Sequence, residues 1–362
     1  MKLKESFKML TFVLALPVLF SACDSDNSED GVPLVATKGV FVFNTGNQGT
    51  GVDGSLSFID EKTNTVTSDV FQMVNGRSLG STVQDGIILG NHLYIAVSKS
   101  NTIEVVHKNT LMSVAQIRPT TDQGSSPRDI VTDGKYVYVS MYSGHVSRID
   151  PATNTIDKTV AVGPNPEEMV IANNHLYVVN SDGNNWQAGY ANGKSVSKIS
   201  LSSLDEKKIA VGLNPTKLVA DASGNVIVLC VGDYDATPAA LWLINKEDEA
   251  KNWGKAATFM AIKDNSLYAI DAPFGSTTIE YSVYNTQTGN LERDNFVSLA
   301  VDSPAGMAID PNNGRIFITS YTLVGGFTSY TTPGYVNEYT SDGTFVQKYN
   351  IGVGPSGMIF LK

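Results

Sequence analysis

The sequence predicts an all-β fold, a seven-bladed β-propeller whose four-stranded blades form a ring closed by the C-terminal strand. Three observations predict it: a recurring phrase, the strand-like stretches that follow each copy, and a lone copy at the C-terminus. The phrase reads SPRDIVTD, NPEEMVIA, NPTKLVAD and SPAGMAID, beginning at Ser126, Asn165, Asn214 and Ser303. A repeat of roughly 40–50 residues with four short strands is typical of propeller blades, which bury their apolar faces only against one another.

Six complete units can be placed along the chain. The clearest one reads EEMVIAN, HLYVVNS, SVSKISL and EKKIAVG, four strand-like stretches separated by turn residues. The interval between Pro215 and Pro304 is about twice the others, so it holds a second unit that begins near residues 257–262 without the proline. The units begin near residues 82, 126, 165, 214, 257 and 303.

The two ends of the repeat region are each incomplete. GVFVFN, GSLSFID and TVTSDVF, within residues 39–71, are three strands that lack an opening strand. GPSGMIFLK, residues 354–362, is an opening strand without the other three. We therefore expect the C-terminal strand to complete the first blade as its innermost strand, which leaves no open sheet edge between the first and last blades.

Composition supports the β fold and excludes one class of partner. The 362 residues are 42% hydrophobic, and no long stretch has the i, i+3, i+4 apolar spacing of a helix. The net charge of −10 argues against DNA or RNA as a partner, because phosphates reward clustered lysine and arginine.

The N-terminus predicts export and lipidation. A basic stretch, MKLKESFK, precedes a short apolar stretch, MLTFVLALPVLF, and then FSAC. This resembles a bacterial lipoprotein signal, so residues 1–22 are predicted to be a signal peptide and Cys23 to be acylated. Ordinary secretion with an incidental cysteine is the alternative. Cys230, the other cysteine, lies in an apolar stretch, and with Cys23 acylated no intrachain disulfide is possible.

Residues 23–37 follow as an acidic tether, and residues 38–362 are assigned to the propeller. The run DSDNSED after Cys23 resembles the surface-export signal of lipoproteins in Bacteroides-like bacteria. A plain solvated spacer is the alternative interpretation. The expected location is the outer membrane, lipid-anchored at the cell surface.

One end of the ring is predicted to bind a ligand. The A–B and C–D turns are short, whereas several B–C loops are long, and function tends to lie on long loops. Aromatic residues in these loops are interspersed with amides and hydroxyls, which suits a ligand with a flat apolar surface and polar edges. Rings that fold inward to fix their own loops are the alternative. The predicted ligand contacts are Trp186, Tyr190, Tyr234, Phe274, Tyr330, Asn44 and Asn185.

Charged residues after each opening phrase are expected to converge at the central channel. They include Arg128 and Lys217, which join the predicted ligand contacts, and Glu167. Such a ring is compatible with a metal, as in lactonase-type propellers, and equally with mutual neutralisation of the charges. No serine elbow, metal-spaced His/Cys cluster or phosphate-binding glycine loop is present, so the sequence predicts neither an enzyme nor a metal or cofactor.

Two long stretches carry a family resemblance. GPNPEEMVIANNHLYVVNSDG and GLNPTKLVADASGNVIVLCVGD resemble the YncE-like surface propellers. GVFVFNTGNQGTGVDGSLSFID, followed by NGRSLGSTVQD, resembles the BtuG family of Bacteroides-type lipoproteins, which capture vitamin B12 and related corrinoids. The resemblance covers nearly all of residues 38–362.

The resemblance implies a surface lipoprotein that binds a vitamin B12-type corrinoid and passes it to a TonB-dependent outer-membrane transporter. It implies no nucleic-acid partner. Two other functions remain open from the residues themselves. One is a glycan-binding propeller, since sugars also stack on tryptophan and tyrosine, and the other is a lactonase-like hydrolase with a metal in the channel.

Overall fold

The structure, a computed structural model, describes residues 36–362 apart from residues 274, 275 and 277. It contains seven four-stranded antiparallel sheets, one for each blade, and confirms the predicted seven-bladed propeller. The signal peptide, Cys23 and nearly all of the tether lie outside the described residues. Within the described residues, no helix has the length and hydropathy needed to cross a membrane.

The strands of the first four blades are short. Blade 1 contains β1 (Gly39–Asn44), β2 (Ser55–Asp60) and β3 (Thr65–Thr67). Blade 2 contains β4 (Val83–Leu89), β5 (His92–Val97), β6 (Thr102–His107) and β7 (Ser113–Ile117). Blade 3 contains β8 (Pro127–Thr132), β9 (Val137–Met141), β10 (His145–Asp150) and β11 (Thr155–Ala161). Blade 4 contains β12 (Pro166–Ala172), β13 (His175–Asn180), β14 (Ser195–Ser200) and β15 (Glu206–Ala210).

The remaining blades follow the same order. Blade 5 contains β16 (Pro215–Ala220), β17 (Val226–Cys230), β18 (Ala240–Ile244) and β19 (Ala250–Asn252). Blade 6 contains β20 (Phe259–Lys263), β21 (Ser266–Asp271), β22 (Glu280–Asn285) and β23 (Leu291–Asp294). Blade 7 contains β24 (Pro304–Ile309), β25 (Ile316–Ser320), β28 (Pro333–Tyr339) and β29 (Phe345–Val353), with a separate hairpin of β26 (Thr322–Val324) and β27 (Phe327–Ser329). The last strand is β30 (Pro355–Leu361).

Helical structure is limited. The α-helix α1 (Val70–Asn75) follows β3, and 3-10 turns lie at Gln48–Thr50, Thr121–Gln123 and Gly183–Ala188. The sequence had predicted a strand that continues through Phe71. Instead, β3 ends at Thr67, because Asp69 adopts a left-handed conformation (φ 46°) and its carboxylate accepts a hydrogen bond from the Gln72 amide, which starts a helix. This helix buries Val70 and Phe71.

The ring is closed by the C-terminal strand, as predicted. β30 pairs antiparallel with β1, with Gly39 opposite Leu361 and Phe41 opposite Ile359. The sheet order of blade 1 is therefore β30-β1-β2-β3, with β30 nearest the central channel. Closure leaves neither terminal blade with an unpaired inner edge.

β1 shows how each blade is buried on both sides. Side chains alternate between the faces of a strand, so Val40 and Val42 pack towards Phe317 of blade 7, while Phe41 and Phe43 pack in the cluster that contains blade 2. All of these side chains are at most 1% exposed. The uninterrupted apolar run of β1 is explained by this position between two neighbours.

The recurring sequence phrase corresponds to a particular backbone conformation at the start of the opening strand. In several blades, the residue that precedes the opening strand has a left-handed conformation: Ser126 (φ 58°), Asn165 (φ 48°), Asn214 (φ 53°) and Gly354 (φ 67°). Asparagine and glycine tolerate this conformation best. A β-bulge follows directly, as between Pro127 and Ile130 or between Pro215 and Lys217. The bulge interrupts pairing with the second strand of the blade, so side chains there can turn to the channel.

The chain enters the propeller at the end of the ring where the short A–B and C–D turns lie. Ala36 makes two hydrogen bonds to Asn109, which belongs to the C–D turn of blade 2: its amide donates to the Asn109 carbonyl (2.8 Å) and its carbonyl accepts from Asn109 Nδ2 (2.6 Å). Gly39 and Leu361, the first residue of β1 and the last residue of β30, are paired at this same end.

Deletion of residues 354–362 should destabilise the protein strongly. It removes β30 and exposes the hydrogen-bonding edge of β1, and truncation of one buried leucine such as Leu361 typically costs about 2–5 kcal/mol on its own. We expect a lower melting temperature or aggregation, measured by thermal unfolding. Removal of Lys362 alone, which is exposed and follows the strand, is the control and should have no effect. A protein without residues 354–362 that melts like the parent would contradict the closure.

Candidate functional site

The two ends of the ring differ in loop length. At one end, turns such as 133–136 in blade 3 and 173–174 in blade 4 join adjacent strands directly. At the other end, long B–C loops project from blade 4 (181–194), blade 5 (231–239) and blade 7 (321–332). We call this second end the loop face.

Among the residues that the structure describes, every exposed aromatic side chain lies on the loop face. Trp186 is 64% exposed, Tyr234 68%, Phe327 80% and Tyr330 53%. Each belongs to a long B–C loop, of blade 4, 5 or 7. Large apolar rings at the surface have an unfavourable contact with water, so several of them at one end of a molecule indicate a binding surface.

The aromatic residues form two contacting pairs. Tyr190 and Tyr234, from neighbouring blades, meet edge to face with ring centroids 6.5 Å apart. Tyr321 and Tyr330 of blade 7 meet similarly at 5.0 Å. Asn47 of blade 1 donates from Nδ2 to the Tyr330 carbonyl (2.9 Å), which ties the loop of blade 7 to the first blade.

A buried acid organises the loop that carries Trp186. Asp182 is only 5% exposed, and its Oδ2 accepts hydrogen bonds from Asn185 Nδ2 and from the Asn192 amide, both at 2.9 Å. Trp186 lies on the 3-10 turn Gly183–Ala188 that begins after this acid. Asn185, a predicted ligand contact, is therefore half-buried and holds the loop in shape.

Asn44 has a structural position. It is fully buried at the end of β1, where Nδ2 donates to the hydroxyls of Ser57 (3.0 Å) and Ser55 (3.2 Å). Asn180 occupies the equivalent place in blade 4 and donates to Ser195 and Ser197 in the same way. The Asn44 side chain therefore does not reach the open surface of the loop face.

Other amides of the blade 4 loop are available to a ligand. Asn184, Gln187 and Asn192 are exposed, and their side chains make no hydrogen bond among the described residues. They flank Trp186 in sequence, so the loop presents an aromatic ring together with amides that have unused donors and acceptors.

Trp253 lies in the connection between blades 5 and 6, and its surroundings differ from those of Trp186. Its ring meets Tyr284 edge to face at 6.1 Å, and it packs against the apolar cluster between these blades. Trp253 is therefore part of the packing between blades, and Trp186 is the tryptophan that the loop face exposes. Phe274, a further predicted contact, lies outside the described residues.

Arg128 and Lys217 are both paired at the channel. Arg128 donates to Glu167 Oε2 from Nη2 (2.5 Å) and Nε (2.8 Å), and its guanidinium lies 4.7 Å from the centre of the Tyr142 ring. Lys217 forms an ion pair with Glu168. The pairings match the neutralised ring that the sequence left open as one interpretation.

These pairs set the ionisation of the channel residues. Burial lowers the pKa of Lys217, but the neighbouring carboxylates of Glu168, Glu167 and Asp129 together more than offset this effect, so the net pKa is raised. Burial raises the pKa of Glu167, and the Arg128 charge opposes the rise only in part. Lys217 therefore stays a cation that is neutralised by its partner.

Two carboxyl groups of neighbouring blades lie close together in the channel. Each accepts a hydrogen bond from the backbone of the next blade: Asp85 from Ile130 N (3.3 Å), the residue after Asp129, and Asp129 from Met169 N (2.7 Å). Burial raises the pKa of Asp85 to about 6. Burial, the Asp85 charge and the Glu168 charge raise the pKa of Asp129 well above its usual value. Each ionised carboxyl group disfavours ionisation of the other, so their proximity adds to the effect of burial.

The charged channel borders the loop that carries Trp186 and Tyr190. The hydroxyl of Ser181, the first residue of that loop, donates to Glu167 Oε1 (3.5 Å), and Glu167 is also the partner of Arg128. The structure therefore places the Arg128–Glu167 pair beside the blade 4 loop, and Tyr190 of this loop contacts Tyr234. Among the residues that the structure describes, no group of three or more His, Cys, Asp or Glu side chains is arranged to hold a metal ion.

A family model described as a domain of unknown function, DUF5074, matches residues 38–360. The chain belongs to this family. No curated protein matches the chain in a sequence search.

The solved structures that resemble this DUF5074 chain agree on the fold alone. A Bacteroides uniformis protein named as a candidate 6-phosphogluconolactonase has a TM-score of 0.60 and 13% identity, covering 90% of this chain and 99% of that one. A protein of unknown function from Desulfotomaculum acetoxidans has a TM-score of 0.58 and 13% identity, covering 90% and 98%. The computationally designed protein Ika8 has a TM-score of 0.55 and 12% identity, covering 90% and 92%.

Two residues join the site beyond the contacts chosen from the sequence. Phe327, at the tip of the β26–β27 hairpin, is the most exposed aromatic side chain of the loop face. Tyr142 stacks on Arg128 from the short B–C turn of blade 3. The long loop was the signal for Phe327, whereas a short turn carries no sequence signal for a site.

The Asp129→Asn variant should change how stability depends on pH. The pKa of Asp129 is higher in the folded protein than in the unfolded chain. The free energy of unfolding therefore falls as pH rises from about 4, near the pKa in the unfolded chain, up to the raised pKa in the folded protein. Asparagine mimics the protonated acid, so the variant should gain stability over the parent between pH 4 and pH 8, by roughly 1.4 kcal/mol for each unit of pKa elevation removed.

Thermal unfolding across this pH range is the measurement. The control is Asp264→Asn, in an exposed turn where the residue also has a positive φ (56°). A stability difference between Asp129→Asn and the parent that is the same at pH 4 and at pH 8 would contradict the raised pKa of Asp129.

Proposed function

We propose that this protein is a cell-surface lipoprotein that binds a vitamin B12-type corrinoid on its loop face and passes it to an outer-membrane transporter. The observation that carries the proposal is the position of the exposed aromatic side chains. Among the residues that the structure describes there are four of them, Trp186, Tyr234, Phe327 and Tyr330, and all four lie on the B–C loops.

The chemistry of a corrinoid suits this surface. A corrin is a broad and largely apolar ring with a fringe of amide groups. Rings such as Trp186 and Tyr234 offer flat apolar contact, and the exposed amides of Asn184, Gln187 and Asn192 offer both donors and acceptors to such a fringe. The sequence resemblance to the BtuG family supports the same ligand class.

The charged residues have an indirect role in this proposal. Arg128 and Lys217 are already engaged by Glu167 and Glu168, and Arg128 lies against the Tyr142 ring, so these pairs form a fixed floor at the channel. A rigid floor lowers the entropy cost of binding because the aromatic contacts are placed before the ligand arrives.

Two other functions are outcomes of the same experiment. A glycan would also stack on Trp186 and Tyr330. A lactonase-like reaction would place the site at the channel, where Asp85 and Asp129 lie. The Bacteroides uniformis neighbour is named for such an activity, but at 13% identity the likeness concerns the fold.

Trp186→Ala should weaken corrinoid binding by about thirtyfold, because an aromatic anchor at a binding surface is typically worth about 2 kcal/mol. Trp186 is 64% exposed, so its truncation should leave the fold intact. Calorimetric titration of the purified full chain with cyanocobalamin is the measurement, alongside a panel of glycans.

The control is Asn312→Ala, an exposed residue in the A–B turn of blade 7 at the opposite end, which should bind like the parent. Absence of saturable binding by any cobamide would refute the corrinoid proposal, and saturation by a glycan would replace it. Binding that survives Trp186→Ala and Tyr234→Ala but is lost on Arg128→Gln would move the site to the channel.

Replacement of Cys23 by alanine should release the protein from the membrane fraction, because a lipoprotein anchor is attached to a cysteine thiol and Cys23 is the only cysteine of residues 1–37. The measurement is fractionation of cells that are labelled with a palmitate analogue. A Cys23→Ala variant that still takes up the label and sediments with membranes would refute the lipid anchor.

A further inference from the structure

A polar cavity of about 450 Å³ lies between the connection that leaves α1 and the outer part of blade 2. Leu79 is the one apolar residue in its wall. The polar lining consists of Arg77, Ser78, Ser100, Thr102, Gln116 and Arg118. In a chain of net charge −10, a cavity that contains two arginines is unusual enough to examine for a ligand.

The register of two strands explains why these residues share one surface. In blade 2, β6 pairs with β7 so that Glu104 lies opposite Gln116 and Ile103 opposite Ile117. Because side chains alternate along a strand, Thr102, Glu104 and Gln116 share one face, and Ile103 and Ile117 pack on the other face against blade 3. Arg118 follows Ile117 and so continues the polar face.

Arg77 is fixed before any ligand arrives. Its Nη2 lies 2.6 Å from Glu104 Oε1, and the Glu104 side chain is completely buried. Its guanidinium carbon lies 4.8 Å from the centre of the Phe71 ring of α1. The Arg77 side chain nevertheless remains 41% exposed, so part of its guanidinium faces outwards.

Gln116 links Glu104 to the second arginine. Its Nε2 donates to Glu104 Oε2 (3.0 Å), and its Oε1 accepts from Arg118 Nη2 (2.5 Å). Among the described residues, no carboxylate lies within ion-pairing distance of Arg118. Most of the guanidinium donors of Arg118 are therefore available to an acceptor from outside.

Two carboxylates and one hydroxyl complete the surroundings. Glu104 is covered by Arg77, Gln116 and the Ser113 hydroxyl, and Asp53 is exposed and accepts from the Ser78 hydroxyl (2.7 Å). Thr102 is 3% exposed, and its hydroxyl has no hydrogen-bond partner among the described residues. An unpaired buried hydroxyl is costly, and a donor remains unused beside the cavity.

We propose that this cavity binds the oxyanion group of a small acid, with the forked guanidinium of Arg118 as the main contact and Arg77 as the second. The planar fork of arginine matches two oxygens of a carboxylate, sulfate or phosphate group, and such charge-assisted pairs are the strong ones. The site goes beyond the proposed corrinoid surface and does not depend on it, because it belongs to blades 1 and 2, whereas the exposed aromatic side chains lie on blades 4, 5 and 7.

The test is titration of the purified full chain with inorganic phosphate, sulfate and acetate, each at constant ionic strength maintained with sodium chloride. We expect saturable binding of at least one of them, measured by calorimetry. Preference for phosphate or sulfate identifies a tetrahedral group, and preference for acetate identifies a carboxylate. Absence of saturable binding by all three overturns the proposal.

Arg118→Gln should weaken this binding about tenfold or more, because the variant loses the charged fork. Lys99→Gln is the matched control. Lys99 is exposed on the same blade, next to Ser100, and its replacement changes the net charge equally, but it does not line the cavity. Equal losses for the two variants would mean that only long-range charge attracts the anion, which overturns the site.

Arg118→Lys separates fork geometry from charge. Lysine keeps the positive charge but has a single donor group, so binding should fall between that of the parent and that of Arg118→Gln. Corrinoid binding should be unchanged in all three variants. If Arg118→Lys binds the anion as tightly as the parent does, the forked geometry of the guanidinium does not contribute to binding.

Discussion

The pairing of β30 with β1 is the contact on which the rest of the molecule depends. Among the described residues, it is the strand pair that joins the first strand of the propeller to its last strand, and it completes the sheet of blade 1. On one side, Val40 and Val42 pack towards Phe317, and on the other Phe41 and Phe43 join the cluster with blade 2. Every loop on the loop face takes its position from this closed ring, including the contact from Asn47 to Tyr330 between the first and last blades.

The channel residues show how polar groups serve this ring. The bulges before Ile130 and Met169 interrupt the strand pairs and leave these amides for the acids of the neighbouring blade, Asp85 and Asp129. The acids therefore join successive blades, and burial, together with the like charges placed there, raises the pKa of both. Polar side chains have a similar structural role in the blade 4 loop: Asp182 and Asn185 are hydrogen-bonded to each other and hold the loop, and Trp186 is exposed to solvent.

The sequence was sufficient for the ring because its opening phrase records a backbone requirement, a left-handed residue followed by a bulge, at Asn165, Asn214 and Gly354. It was less informative about individual side chains. Asn44 looks like any loop amide until the depth of β1 is known, and α1 depends on the left-handed conformation of Asp69. Whether an arginine has a carboxylate partner depends on what the neighbouring blade offers: Arg128 meets Glu167 of the next blade, whereas Arg118 is hydrogen-bonded to Gln116 of its own strand. Residue types and spacing do not encode such neighbours across blades.

The described chain enters the propeller at one particular end of the ring. Ala36 is bound to Asn109 at the end with short turns, and β1 runs from there towards the loops. The described chain therefore begins at the end of the ring opposite Trp186, Tyr234 and Phe327. Access to these aromatic side chains does not require passage over Ala36 or the short turns around it.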